Sequence, residues 1–218
     1  PDDTLSRLQG ISETTLDEAA IASKLAALAS DLNAEISDFQ ITAMADQDWV
    51  ADNLAAFPPI QVGRYFMNGS HIQEGMPGGA VGIKLDAGPA FGTGEHATTE
   101  GCLAAFDQLA KEGKKFRRIL DMGCGSGILS LAAAKTWQTG IIACDIDPGA
   151  VRVACENARQ NSVGGFIYAQ AGDGYRTPLV QTQGPYDLIV SNILANPLCQ
   201  MARDLRRYLD IGGMAVLS

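Results

Sequence analysis

Ile119-Leu120-Asp121-Met122-Gly123-Cys124-Gly125-Ser126-Gly127-Ile128-Leu129 decides how the rest of the chain is read. An apolar run ends in a carboxylate, three glycines follow at alternate positions, and an apolar pattern continues through Ala134. The pattern predicts a strand, a tight turn and the start of a helix. Glycine serves where the backbone must reach positive φ or let a ligand come close. The helix start offers free N–H groups and the positive end of its dipole. A turn of this kind, at the edge of an α/β sheet, holds an anionic or polar cofactor.

The spacing narrows the cofactor. A dinucleotide fingerprint, G-x-G-x-x-G, counted from Gly123 needs its third glycine at position 128. Ile128 stands there and the glycine is Gly127. That counts against a nicotinamide-dependent oxidoreductase. The D-x-G-x-G-x-G spacing instead resembles the first motif of class I S-adenosylmethionine (SAM) methyltransferases, with Asp121, Gly123, Gly125 and Gly127 as cofactor-binding candidates. The next apolar run, Gly140 to Cys144, ends at Asp145, followed by Ile146-Asp147-Pro148. A carboxylate at the end of a second strand accepts hydrogen bonds from ribose hydroxyls. Asp145 is assigned that role, with Ile146 beside it in the cofactor site. Asp147 is assigned the N-cap of the next helix, with Pro148 in its first turn.

With 218 residues, 46% hydrophobic and 19% charged, the chain has the composition of a soluble globular protein. It is long enough for one domain of ordinary size and a small appendage. No apolar run approaches a membrane span, and the polar start, Pro1-Asp2-Asp3-Thr4, reads as no secretory leader. The net charge of −9 argues against broad contact with a phosphate backbone, so no direct nucleic-acid binding is expected. Cys102, Cys124, Cys144, Cys155 and Cys199 form no C-x-x-C pair. They read as reduced thiols of a cytoplasmic protein, with no metal site.

Along the chain, Thr14-Thr15-Leu16-Asp17-Glu18 reads as a capping box, with Ile21, Leu25, Leu28 and Leu32 at helical spacing behind it. Residues 36–43 read as a strand. Residues 46–59 form a connector, Ile60 to Met67 a strand, and Val81, Ile83 and Leu85 another, with a turn at 75–79 between them. A glycine-rich loop, Gly88 to Thr99, feeds a helix whose apolar stripe is Leu103, Phe106 and Leu109. Its alternative reading is a plain loop with Thr98 or Thr99 as N-cap. The last third alternates helix 148–161, strand 166–170, strand 186–191, a helix to about Tyr208 and a strand Met214–Leu217 after Gly212-Gly213. Such alternation predicts a doubly wound, mostly parallel sheet.

Three stretches together carry a family resemblance: Ala90-Phe91-Gly92-Thr93-Gly94-Glu95-His96-Ala97-Thr98-Thr99, Asp121 to Gly127, and Asn192-Ile193-Leu194-Ala195-Asn196-Pro197-Leu198. They resemble the F-G-T-G-x-H-x-T-T, D-x-G-x-G-x-G and N-I-L-A-x-P-L signatures of ribosomal protein L11 methyltransferases (the PrmA type). The connector's Asp48-Trp49, with Asn53 and Pro59, is similar too. The first and third signatures are specific; the second is shared by many methyltransferases. The resemblance implies a Rossmann-like class I SAM methyltransferase domain over 88–218, connector and lead-in strands over 46–87, and a partial α+β substrate-recognition domain over 1–45. It also implies further strands beyond Ser218, so the fold is expected to be truncated at its C-terminal end. It implies methyl transfer from SAM to the α-amine and lysine ε-amines of a ribosomal protein. Cofactor contacts carry over onto Thr99, Gly123, Asp145 and Asn192.

In-line displacement at a sulfonium needs chiefly that a neutral amine be held in line with the methyl carbon. Asn192, just after the fourth strand of the alternating region, is the candidate to place that amine; its alternative is a helix N-cap. His96 is a candidate proton acceptor or a loop-orienting residue. Asp173 is a candidate acceptor for an adenine amine or an Asx turn former. Phe91 covers the cofactor or belongs to the core, and Thr93 lies in the same loop. The basic run Lys111, Lys114, Lys115, Arg117, Arg118 reads as a solvated connector. Rival readings are a methyltransferase of a small molecule or nucleic acid, and a SAM-binding module without turnover. The oligomeric state is not legible.

Overall fold

The computed structural model describes residues 16–32, 39–41, 59–69, 75–85 and 97–218. The chain divides into two compact units, 1–47 and 48–218. In the first, helix α1 spans Glu18–Leu32. Asp17 caps it, its Oδ1 accepting the Ala20 N–H at 3.1 Å. The capping residue is therefore Asp17 itself, while Thr14 and Thr15 lie outside the described residues. Of the strand expected at 36–43, only 39–41 are described, and they are not extended into a sheet.

The second unit opens with strands β1 (Ile60–Val62), β2 (Tyr65–Asn68) and β3 (Val81–Lys84). The single strand expected from Ile60 to Met67 is instead an antiparallel hairpin, pairing Ile60 with Met67 and Val62 with Tyr65. Its two-residue turn is Gly63-Arg64, with Gly63 at φ 54, as a hairpin turn with glycine in its first central position requires. Strand β2 then pairs β3 in parallel, Tyr65 with Val81.

The turn leaves Arg64 facing helix α2 (Ala97–Lys111), where its Nε donates to Asp107 Oδ1 at 2.7 Å. Lys111 Nζ lies 2.6 Å from the other carboxylate oxygen. Burial pushes the Asp107 pKa up, but the two cations outweigh it and hold the carboxyl below its ordinary value. Tyr65, Met67 and Ile83 enter the same core as Leu103 and Phe106 of α2, so these strands are part of the domain's packing.

The main sheet has five strands: β4 (Ile119–Met122), β5 (Ile141–Asp145), β6 (Ile167–Ala171), β7 (Tyr186–Ser191) and β8 (Leu209–Leu217). All pairings are parallel, in the order β6-β5-β4-β7-β8. Helices α2, α3 (Ile128–Trp137) and α4 (Pro148–Gln160) contribute to the core on one face. A 3-10 turn (Gly174–Arg176), α5 (Pro178–Gln183) and α6 (Ala195–Tyr208) cover the other. The fold is the expected doubly wound α/β sheet. Strands β4, β5 and β7 are apolar runs because both of their faces are covered.

Strand β8 begins at Leu209, directly after α6, and not at Met214. Leu209 pairs with Tyr186, and the register then slips so that Met214 pairs with Leu188. Gly212, at φ 78, lies within that irregular stretch, so the glycine pair bends a strand already begun.

Chain order runs outward from β4 to β6, then returns to the other side of β4 at β7. The carboxyl ends of β4 and β7 thus flank the switch point where open α/β sheets bind ligands.

Candidate active site

The glycine turn leaves β4 at that switch point. Gly123, Gly125 and Gly127 have φ of 78, 52 and 81, all in the left-handed region that costs other residues about 1–2 kcal/mol. The turn is pinned to β5: the N–H groups of Gly123 and Cys124 donate to the Cys144 carbonyl at 2.7 and 3.0 Å. A side chain at Gly123 would collide with Ile193, and one at Gly127 would meet the Ala154 methyl at 3.0 Å. Close approach is therefore a second reason for glycine at both positions.

Asp145, at the end of β5, faces this turn. Its Oδ2 accepts the Gly125 N–H at 2.9 Å and its Oδ1 the Asp147 N–H at 3.0 Å. Each carboxylate oxygen keeps lone-pair capacity for a further donor. Asp147 caps α4, accepting the Gly149 N–H at 2.7 Å, and Pro148 opens the helix as expected. Ile146, between the two aspartates, is 79% exposed on the rim. A large apolar group left bare beside a polar cradle is available to a flat ligand.

Asp121 lies one layer below. It is 1% exposed, and the Ser130 hydroxyl donates to its Oδ2 at 2.6 Å. Its Oδ1 is the one buried side-chain oxygen or nitrogen without a partner among the described residues. Burial pushes its pKa up to about 6, Ser130 pulls it down, and the nearby Asp145 charge raises it further. An orphaned, buried carboxylate oxygen asks for a cationic or N–H partner. Ser130 was missed in the sequence, yet it is the single polar residue between Ile128 and Ala134.

Across the switch point, Asn192 follows β7. Its Nδ2 donates to Thr99 Oγ1 of α2 at 3.1 Å. Thr99 is fully buried and is the third residue of its helix, so it does not cap it. Asn192 does not cap α6 either; the N-cap position is Leu194, with no side-chain bond. Thus the site brings Asp121, Gly123, Gly125, Gly127, Asp145 and Ile146 to one side of the switch point and Thr99 and Asn192 to the other, with Ile193 between. Asp173 stands apart. Its carboxylate is exposed after β6 and pairs with Arg176 at 2.9 Å, and it makes no cap bond. Phe91, Thr93 and His96 lie outside the described residues. Among the described residues no group of His, Cys, Asp or Glu could hold a metal ion, and no helix is long and apolar enough to cross a membrane.

A parallel sheet of this order, with a glycine turn after its central strand and a carboxylate closing the next, defines a class I methyltransferase fold. The sequence matches the ribosomal protein L11 methyltransferase (PrmA) family over residues 3–218, and the chain belongs to that family. It is 39% identical over 204 residues to the ribosomal protein L11 methyltransferase of Rhizobium etli, covering 93% of this chain and 68% of that one. It is 43% identical over 175 residues to that of Caulobacter sp. strain K31, covering 80% of this chain and 60% of the relative. The chain therefore spans roughly two thirds of these relatives' length. Among solved structures, a ribosomal protein L11 methylase from Lactobacillus delbrueckii subsp. bulgaricus superposes with a TM-score of 0.65 at 29% identity, over 74% of this chain and 80% of that one.

Proposed function

We propose that this chain works as a SAM-dependent protein N-methyltransferase whose acceptors are the α-amine and lysine ε-amines of ribosomal protein L11. The observation that carries the reading is the opposition of two polar groups across the switch point: Asp145 against the glycine turn, and Asn192 against Thr99. One group suits a nucleoside and the other an amine. Such a substrate puts the work in the cytoplasm.

The residues present fit SAM. Asp145 has acceptor capacity for two ribose hydroxyls, Ile146 offers an apolar face to the base, and Asp121 Oδ1 lacks a partner for a cationic or N–H group. Gly123, Gly125 and Gly127 let the backbone come close to the ligand. Thr99, Phe91 and Thr93 complete the cofactor set. Asp173, which stands apart and pairs with Arg176, is the candidate acceptor for an adenine amine. When bound, SAM supplies a methyl group activated on a sulfonium.

The chain's own task is placement. The Asn192 carboxamide spends one N–H on Thr99, which fixes its plane and leaves its oxygen free to accept from an incoming amine. Holding that nitrogen neutral and in line is the catalytic contribution, because the leaving group needs no help. His96 is the chain's candidate to take the amine proton, at a reference pKa of about 6.5; water serves otherwise. Residues 88–218 carry this chemistry, 46–87 lead into it, and 1–45 contribute to substrate recognition.

The test is calorimetric titration of the 218-residue chain with SAM and with NAD, followed by methyl incorporation into ribosomal protein L11. Saturable binding of SAM alone, with label in the protein and none in ribosomal RNA, is the expected result. Binding of NAD, or label in RNA only, sinks the reading.

A further inference from the structure

One face of α4 is buried along its length, through Ala150, Ala154, Asn157 and Ala158, and on to Asn161 at its C-cap. Three of the five are alanines, as a helix packed close to backbone requires. The two asparagines are out of keeping. Asparagine is a weak helix former, and a buried carboxamide costs stability unless its donors and acceptor are met. Both carboxamides bond to backbone. Asn157 Nδ2 donates to the carbonyl of Ser126, inside the glycine turn, at 2.9 Å. Asn161 Nδ2 donates to the Asn157 carbonyl at 2.9 Å and to the Lys84 carbonyl at 2.7 Å, while its Oδ1 accepts the Lys84 N–H at 2.9 Å. Asn161 thus pairs both backbone groups of the last residue of β3, as a neighbouring strand would.

The two bonds do different things. Asn161 seats the C-terminal end of α4 on the small sheet. Asn157 reaches from that seated helix to the one non-glycine residue between Gly125 and Gly127. The peptide that follows Ser126 ends in the Gly127 N–H, which donates to the Cys124 carbonyl at 2.8 Å. Fixing the Ser126 carbonyl therefore fixes the plane of the peptide that closes the turn. It also holds the turn flush on Ala154, where there is room for no side chain. The Asn157 side chain is 4% exposed and lies behind the turn.

We infer that Asn157 is a positioning residue for the cofactor: it acts through the Ser126 carbonyl to hold the glycine turn in its binding conformation, with Asn161 bracing it from β3. The inference rests on the methyltransferase reading of the site. A glycine-rich turn has many conformations to lose on binding. A preset turn spares the ligand that ordering.

The test is the SAM dissociation constant of the 218-residue chain, measured by calorimetry at 25 °C for wild type, Asn157→Ala and Asn157→Asp, beside their melting temperatures. Asn157→Asp keeps the shape but turns an acceptor toward an acceptor, so it weakens binding most. About tenfold or more is expected for Asp and severalfold for Ala, in samples that remain folded at 25 °C. A purely structural role lowers the melting temperature and leaves the dissociation constant alone; that result overturns the inference. If Asn157→Asp does not fold, Asn157→Ala and the wild-type Asn157 side-chain amide resonances decide. Those resonances are expected to be slow to exchange and to shift on adding SAM. Resonances unmoved by saturating SAM overturn the inference. Failure of the wild-type chain to bind SAM overturns the function proposed above, and the inference with it.

Discussion

The sheet contains two strand–turn–helix units that end at the same rim and are built by opposite rules. In β4–α3, seven of the ten helical residues are buried and the turn carries three left-handed glycines. In β7–α6, no residue of the fourteen-residue helix is buried, and Leu194 at its start is 80% exposed. The first unit is in the middle of the sheet, wedged between β5 and β7 and under α2 and α4. The second lies beside the edge strand. The difference separates two demands on one site. On the function proposed above, the cofactor side is the rigid, closely packed one, where the turn has no room for a side chain at Gly123. The acceptor side carries one carboxamide held in place by the buried Thr99.

The largest effect is expected where that rigidity is greatest. Gly123→Ala combines a left-handed backbone with overpacking against Ile193, and should cost about 3 kcal/mol or more of unfolding free energy in a urea titration. Adding Ile193→Ala should recover the packing part and leave the backbone part. Leu194→Ala, at the exposed start of the helix in the other unit, should change stability by less than about 0.5 kcal/mol. A small loss at Gly123, or a large one at Leu194, breaks the comparison.

Asp121 gives an effect of similar size through pH. Its folded pKa of about 6 lies above the ordinary 3.8. Between those values the folded chain keeps a proton that the unfolded chain has lost. This group therefore adds stability below about pH 4, loses it as pH rises to about 6, and is level above that, with a total of about 3 kcal/mol. Asp121→Asn should flatten the stability profile over that window. An unchanged slope would show that the orphaned oxygen is satisfied.

Asp145→Ala should weaken SAM binding by about 1–3 kcal/mol, through loss of a charged acceptor and of the Gly125 bond. Equal affinity would put the ribose elsewhere. The smallest effect on affinity belongs to the open side. Asn192→Ala should lower turnover about tenfold or more while moving SAM affinity by less than about threefold, as for a group that places the acceptor. Equal losses in both would make Asn192 part of the cradle.

The central strands were legible because burial on both faces writes itself as an apolar run closed by a carboxylate, as at Ile119–Asp121 and Ile141–Asp145. Asp147 as N-cap and Pro148 behind it were legible because capping is local. The hairpin at Gly63 was not, since a two-residue turn inside an apolar run leaves the alternation intact. Nor was the early start of β8, where the glycines that punctuate a strand looked like its beginning. What no local pattern announced are bonds between distant parts of the chain. Arg64 to Asp107, Asn157 to Ser126, Asn161 to Lys84 and Asn192 to Thr99 join residues 43, 31, 77 and 93 positions apart. Asn192 and Thr99 stood out through the family resemblance, but their bond to each other did not, and the other residues read as ordinary polar positions. Only the fold brings each pair together.

Ile193 occupies the room that a side chain on Gly123 would need. Its neighbour Asn192 therefore stands one residue from the point where the chain after β7 meets the glycine turn. On the function proposed above, the nucleoside on the turn and the amine at Asn192 would be parted by this single aliphatic side chain.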